Sequence, residues 1–384
     1  MTAADVHTPT GGSPSAPVPA AGTADVDLTV AGTVTIRLLG VRPADRRAVE
    51  RQYGESNPVG TGPADITIRY CERLDLDDQV LRYLGPGSAG FTDEGFVILR
   101  GRFRSPVRVL FPGAEVCGPC ELRCEHGVGR VPHLVALVNL AVLARGGVAL
   151  HASAFARDGS ATVATGWSKG GKTEALLTAC SRGATYVADE WTHIGSDRTA
   201  SGTWEPVRVW DWQLAQLPWL RAGLDRGERA RLAALRSAER AAEVGRVGAR
   251  ASTAIGRNRF VDLPPEAVAR QGRADGPVPI GRLLLMTSTD RPLTWTHPVS
   301  GREVADRMAA SLVYERQPLA EIVSAFRFAF PAAATRTFDE VAEREHERLR
   351  SLLDPIPAVE VLHPYPVDLG QLGATIAAAE RELG

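Results

Sequence analysis

The chain has 384 residues, with 44 Lys+Arg against 45 Asp+Glu and a formal net charge of -1. That balance excludes the excess positive field on which polyanion binding depends, so no nucleic-acid partner is expected. With 44% hydrophobic residues over this length a substantial core can be buried, which excludes disorder of the whole chain.

Residues Met1 to Asp25 are mostly Pro, Ala, Gly, Ser and Thr with little to bury, and are expected to form a disordered tail. From Val26 to about His126 short β-rich runs (VDLTVAG, TVTIRLLGV, ADITIRY, EGFVILRGRF, PVRVLFPG) alternate with turn residues, predicting a small, mostly antiparallel domain. At Gly127 the pattern changes. The stretch Val131 to Arg145 (VPHLVALVNLAVLAR) is too short for the roughly 20 apolar residues of a membrane span, so a buried helix through Leu143 and no membrane partner are expected. The strand VALHASAFA follows, then a turn at Asp158-Gly159, the strand ATVATG, a helix from Lys172 to Cys180, a turn at Arg182-Gly183, and the strand ATYVADEWTHIG. Strand, glycine loop, helix and strand is the order of an α/β nucleotide-binding unit. Residues Leu224 to Val244 read as an amphipathic helix with alternating arginine and glutamate. Strands RFVDL and IGRLLLMTST and helices over Arg302–Ser311, Leu319–Phe328 and Asp339–Leu353 complete a second domain, 127–384.

The strongest motif is Gly166-Trp167-Ser168-Lys169-Gly170-Gly171-Lys172-Thr173, which satisfies G-x-x-x-x-G-K-[ST] between a strand and a helix. Glycines let successive N–H groups point inward at phosphate oxygens, and the helix start adds partial positive charge. Lys172 is placed to reach the β- and γ-phosphates of ATP and Thr173 to ligate Mg²⁺. Lys169 and Lys172 are the only lysines among the 44 basic residues; the other 42 are arginines, the mark of a GC-rich coding bias. A compact ammonium is what arginine cannot supply at position 172.

A phosphate loop specifies a nucleotide and not a reaction. Three neighbours bear on that: His151 opens the hairpin that leads into the loop, Asp189-Glu190 lie at the end of the strand after it, and Gly256-Arg257-Asn258 follow downstream. Ligands bind at strand ends on the loop side of open α/β sheets. There a carboxylate can accept the proton of an attacking hydroxyl, and histidine or arginine can stabilise a transferring phosphoryl group.

The segment LHASAFARDGSATVATGWSKGGKTEALLTACSRGATYVADEW resembles the catalytic core of the HPr kinase/phosphorylase family. His151, Gly166, Ser168, Gly170, Gly171, Lys172, Thr173, Glu174, Arg182, Gly183, Val187, Ala188 and Asp189 fall on that family's pattern without a gap, and Ile255–Asn258 (IGRN) is similar to its PGRN segment. The resemblance implies a phosphoenolpyruvate-carboxykinase-like α/β catalytic domain behind a β-rich N-terminal domain. It implies catalytic roles for Asp189, His151, Lys172, Glu190 and Arg257, with Asp189 the general base. It also implies nucleotide contacts from Gly166 through Glu174, and Mg²⁺ held by Thr173 with Asp189 as a second candidate ligand. Position 190 is Glu where the family has a second Asp. The family's glutamate-isoleucine-arginine-glycine segment is replaced by EPVRVWDWQLAQL, with Glu205 and Asp211 as weak metal-ligand candidates. The activity expected is transfer of the γ-phosphate to a hydroxyl of a peptide or protein serine or of a small metabolite, and shorter relatives serve peptide natural-product pathways. The alternatives are a nucleotide-binding regulatory module without chemistry and an NTP hydrolase or switch. A homo-oligomer is compatible with all three.

Five cysteines in a chain of this length do not make a disulfide framework, and no leader pattern opens the sequence, so a cytoplasmic location is expected. Cys117, Cys120, Cys124 and His126 form C-x2-C-x3-C-x-H, a spacing that could close around Zn²⁺. The second C-x2-C half is missing, which favours plain thiols at the domain junction.

Overall fold

A computed structural model describes residues 22–30, 32–76, 80–84, 89–100, 106–113, 117–244, 248–333 and 337–384. The expected tail over residues 1–21, residue 31 of the first strand run and residues 101–103 of EGFVILRGRF lie outside them. Chain direction first becomes regular at Ala24, inside the segment expected to be tail, where a strand runs to Val30. The architecture is mixed α/β, built on two eight-stranded sheets and a small two-stranded one.

The first sheet runs, edge to edge, Asn57–Pro58, Ala24–Val30, Val34–Val41, Ile66–Cys71, Cys120–Glu125, Pro106–Pro112, Gly95–Arg100 and Ala89–Phe91. Its two central pairings are parallel, Ile36 opposite Ile66 and Ile66 opposite Cys120, whereas the flanking ones are antiparallel. Parallel neighbours need a crossover, and the helix Pro43–Tyr53 supplies the first. This helix escapes a hydrophobic-period reading because Asp45 and Gln52 share its buried side with Val49 and Tyr53.

The second sheet carries the loop. Strand Ser160–Thr165 pairs antiparallel with Val148–Arg157 and parallel with Val278–Thr289. Val148–Arg157 continues through Trp191–Ile194 and Thr199–Gly202 back to Val278–Thr289, so these pairings run in a ring through five strands. Ala358–Pro364 and Trp295–Val299 extend it. The buried apolar helix occupies Leu134–Ala144, shorter than the expected span from Gly127, because His133 takes a left-handed conformation (φ 54°) just before it.

The two helices expected over Arg302–Ser311 and Leu319–Phe328 form one helix, Gly301–Ala329, that continues through Pro318. Its first half packs Val304, Ala305, Met308 and Leu312 on the second sheet, and its second half packs Leu319, Val323 and Phe326 into the core of the first. Apolar burial at both ends outweighs the cost of about 3 kcal/mol for an interior proline. One rod thereby ties both sheets together. No helix among the described residues is long and apolar enough to cross a membrane.

Candidate functional site

The loop begins where Ser160–Thr165 ends and finishes as helix Lys172–Ser181 starts. Gly166 has φ +153°, and a Cβ there would lie 2.4 Å from the Met286 carbonyl oxygen. Gly171 has φ +100°, and its Cβ would meet His363 Nε2 at 2.2 Å. Both positions therefore require glycine for space as well as for backbone conformation. Ser153 Oγ donates to the Lys172 carbonyl at 2.6 Å, pinning the helix start to the neighbouring strand. His363, fully buried, braces the loop from the other side with Nε2 2.8 Å from the Gly170 carbonyl.

Lys172 is 6% exposed, and its Nζ donates to the carbonyls of Trp167 (2.9 Å) and Gly166 (3.3 Å). Burial lowers its pKa, against the opposing pull of Glu190, Asp189 and Glu315. Lys169 (φ 63°) is exposed at the loop tip, beside a half-buried Ser168. Trp167 is exposed too and leans on the Tyr314 ring, centroids 4.9 Å apart. Glu174 turns away from the loop to accept a hydrogen bond from Gln213 Nε2 at 2.9 Å.

The strand expected over ATYVADEWTHIG breaks in two, Thr185–Ala188 and Trp191–Ile194, both pairing with Val148–Arg157. Asp189 and Glu190 occupy the break, with Glu190 at φ 63°. This kink aims consecutive side chains at different partners. Asp189, 2% exposed, accepts from Thr173 Oγ1, which lies 3.2 Å from each carboxylate oxygen. Glu190 Oε2 faces His151 Nε2 at 3.3 Å, and His151 Nδ1 donates to Glu315 Oε1 at 2.7 Å. The Trp191 ring stacks on His151, centroids 5.6 Å apart.

Burial, reinforced by the neighbouring Glu190 charge, pushes the Asp189 carboxyl up to about 8. Glu190 moves the other way, held down by its hydrogen bond to His151. Burial opposes a charge on His151, yet the bonds to Glu190 and Glu315 outweigh it and raise its pKa. Two adjacent acids are thus driven apart, Asp189 towards its protonated form and Glu190 towards its ionised one, while His151 is drawn towards the imidazolium. That divergence is the usual mark of an acid–base site.

Arg257 does not join this cluster. It is exposed just past helix Gly248–Gly256, and among the described residues no contact links it to the loop. The cation that holds Glu190 down alongside His151 and Lys172 is Arg208, on strand Val207–Trp210 and paired with Asp262 at 2.8 Å. Glu205 and Asp211 are spoken for as well: Glu205 accepts from Gln52 and Arg130, and Asp211 accepts from Arg259 and forms an ion pair with Arg236. Neither carboxylate is presented to the loop as a metal ligand. Thr173 and Asp189 are, and two such oxygens suit Mg²⁺, which usually keeps several waters and takes its other ligands from phosphate. A buried carboxyl with a pKa this high is also one that a divalent cation would ionise.

The cysteine segment does not converge. Cys120 and Cys124 lie along one strand, Cys120–Glu125, and His126 Nδ1 contacts Asp45 at 3.1 Å. Among the described residues no group of three or more His, Cys, Asp or Glu side chains could hold a metal. Burial pushes the Cys117 thiol up to about 11 and Cys124 higher still.

Three partners of the site escaped the sequence reading: Glu315, His363 and Arg208. Glu315 sits on the helix continuation between the two expected pieces, His363 on the unexpected strand Ala358–Pro364, and Arg208 in the region without a family counterpart. No spacing rule links them to the loop. Comparison with protein-family models and with curated proteins gave no match to this chain.

Proposed function

We propose that the chain is an ATP-dependent phosphotransferase of the HPr kinase/phosphorylase type that moves the γ-phosphate to an alcohol hydroxyl. The observation that carries this reading is the juxtaposition of Thr173 with Asp189, a carboxyl whose pKa near 8 matches a proton acceptor working close to neutral pH. A module that only binds nucleotide has no need of the His151 relay.

The residues divide the work as follows. Backbone N–H groups of the Gly166–Thr173 loop, with the helix start, hold phosphate oxygens. Lys172 leaves the carbonyls of Gly166 and Trp167 to neutralise the transferring group. Thr173 and Asp189 would hold Mg²⁺, which would neutralise phosphate charge and favour the ionised Asp189 carboxyl. Asp189 takes the proton of the acceptor hydroxyl. The acceptor oxygen forms its bond to the γ-phosphorus as the bond to the β,γ-bridging oxygen breaks, and that oxygen leaves with the diphosphate. His151, protonated and oriented by Glu190 and Glu315, is a second positive group beside the developing charge. A cavity of about 460 Å³ next to the loop, lined by Trp167, Lys169, Met286, Arg307 and Ser311, has room for the nucleoside end. The hydroxyl belongs to a peptide or protein serine or to a small metabolite.

The test is transfer of label from γ-³²P-ATP by the full chain, with Mg²⁺, to candidate hydroxyl acceptors. Wild type labels an acceptor, and Lys172→Met lowers the rate by about 10²–10³-fold with an unchanged circular-dichroism spectrum. Equal labelling by the variant would sink the reading; release of inorganic phosphate alone would select the hydrolase.

A further inference from the structure

A histidine that no motif singles out lies directly under the phosphate loop. His363, on strand Ala358–Pro364 opposite Ser288 of Val278–Thr289, has a fully buried side chain. Both of its ring nitrogens lie 2.8 Å from backbone carbonyl oxygens, Nδ1 from that of Pro364 and Nε2 from that of Gly170. A carbonyl oxygen only accepts, so both nitrogens must donate, and the ring that makes this bridge is the imidazolium. A charged donor makes the stronger bond, and burial keeps water from competing for the two carbonyls. The Glu174 carboxyl, in the first turn of helix Lys172–Ser181, is within reach of that charge.

The bond to Gly170 fixes more than one atom. The Gly170 carbonyl and the Gly171 N–H belong to one planar trans peptide, in which the two groups point in opposite directions. Holding the carbonyl on His363 therefore turns the Gly171 N–H away from the ring. Among the described residues nothing accepts that N–H, and no side chain caps the helix that starts one residue later. The Gly170 N–H, by contrast, is engaged by the Trp167 carbonyl at 3.0 Å. Gly171, at φ +100°, has the backbone freedom to let this peptide turn over, and His363 is the one side chain among the described residues that bonds its carbonyl.

We infer that His363 is a positioning residue for phosphate binding: its imidazolium pins the Gly170 carbonyl so that the Gly171 N–H stays turned towards the bound phosphate. The inference rests on the phosphate-binding part of the kinase reading and not on the transfer step. It gives the loop a second cation besides Lys172, one that acts through the backbone and does not touch the ligand.

The experiment is calorimetric titration of the full chain, with Mg²⁺, by ATP and by inorganic tripolyphosphate, for wild type, His363→Gln and His363→Leu. The glutamine amide nitrogen reaches the position of Nε2 and can still donate to Gly170, whereas leucine fills the space without a donor. His363→Leu should weaken both ligands by the same factor, about tenfold, raising KM for ATP with little change in kcat. His363→Gln should stay within about threefold of wild type. Should His363→Leu fail to fold, His363→Asn replaces it, since its amide reaches the Pro364 carbonyl and stops short of Gly170. On ¹⁵N-labelled wild type under the same conditions, both His363 ring nitrogens should resonate as protonated. Unchanged affinity in His363→Leu, equal loss in His363→Gln and the donor-free variant, or a ring nitrogen without its proton would overturn the assignment and leave the kinase in place. The expected affinity pattern without any phosphate transfer supports the clamp and refutes the kinase, and a wild type that binds neither ligand refutes both.

Discussion

Two regions of this molecule carry reactive side chains at suggestive spacings, and only one of them brings those side chains together. At the loop, Lys172, Thr173, Asp189, Glu190, His151 and Glu315 come from a helix start, a strand break, a strand and a distant helix; Thr173 bonds Asp189, His151 bridges Glu190 and Glu315, and Lys172 feels the charge of all three carboxyls. At the cysteine segment, Cys120 and Cys124 lie on a single strand, where each residue advances the chain about 3.3 Å and successive side chains take opposite faces. Cys120 and Cys124 stand four positions apart on that strand, about 13 Å along it, too far to share one ion. The loop residues converge because a helix start and a strand break bring Thr173, Asp189 and Glu190 up to His151 on its strand and Glu315 on the long helix.

The contrast is sharpest at Asp189. Asp189→Asn is expected to cut phosphate transfer by about 10²–10⁴-fold, the usual contribution of a positioned proton acceptor. The same substitution should change the pH dependence of stability in a direction fixed by linkage. The folded-state pKa, about 8, lies above the ordinary aspartate value, so the stability linked to this group is fully present below the ordinary value and is lost as pH rises through about 8. Without nucleotide or Mg²⁺, Asp189→Asn should therefore melt at least about 3 °C above wild type at pH 9 and show little advantage at pH 5, as read by calorimetry. For wild type, kcat/KM should rise with pH around the same value. A melting difference independent of pH would mean that Asp189 is an ordinary ionised carboxylate, and the loop region would lose what most distinguishes it.

A smaller effect is expected one step out. Glu315→Gln removes one of the two carboxylates that raise the His151 pKa against burial, so the imidazole pKa should fall. NMR titration of the His151 ring protons should show the drop, and transfer at pH 8 should fall by roughly tenfold as the positive charge is lost. Restoring the carboxylate as Glu315→Asp should recover part of the pKa shift. If the pKa of His151 is the same in Glu315→Gln, the relay is packing and not electrostatics.

How much of this could be read from residues alone follows from where each signal resides. The loop, its helix and the strands on either side are local: glycines, an apolar run and a turn within about twenty residues specify them, and the acid pair lies one strand farther on. The parallel pairing in the first sheet was not legible, because the crossover helix Pro43–Tyr53 buries Asp45 and Gln52 in place of an apolar stripe. Nor was the unbroken helix Gly301–Ala329, since a proline normally ends one and only the burial of both halves on different sheets keeps it intact. Glu315 and His363 stand 164 and 193 residues from the partners they touch, His151 and Gly170, and no window of sequence contains both members of either pair. Arg257 is the converse case. Its IGRN neighbourhood matches a motif, but the chain leaves it exposed while Arg208 supplies the charge felt by Glu190.

The smallest effect is expected in the other region of the comparison. Cys117 is half-buried with its thiol near pKa 11, and its replacement by Ser exchanges one small side chain for another. Zinc needs several ligands around it, and among the described residues no group of three His, Cys, Asp or Glu side chains converges here. Cys117→Ser should leave phosphate transfer unchanged and shift the melting temperature by less than about 2 °C. Elemental analysis of the wild type, purified without chelator, should find well under one zinc per chain. Stoichiometric zinc that disappears in Cys117→Ser would mean that this segment folds back around a metal, and the distinction between a converging site and a spread-out strand would then fail at its second term.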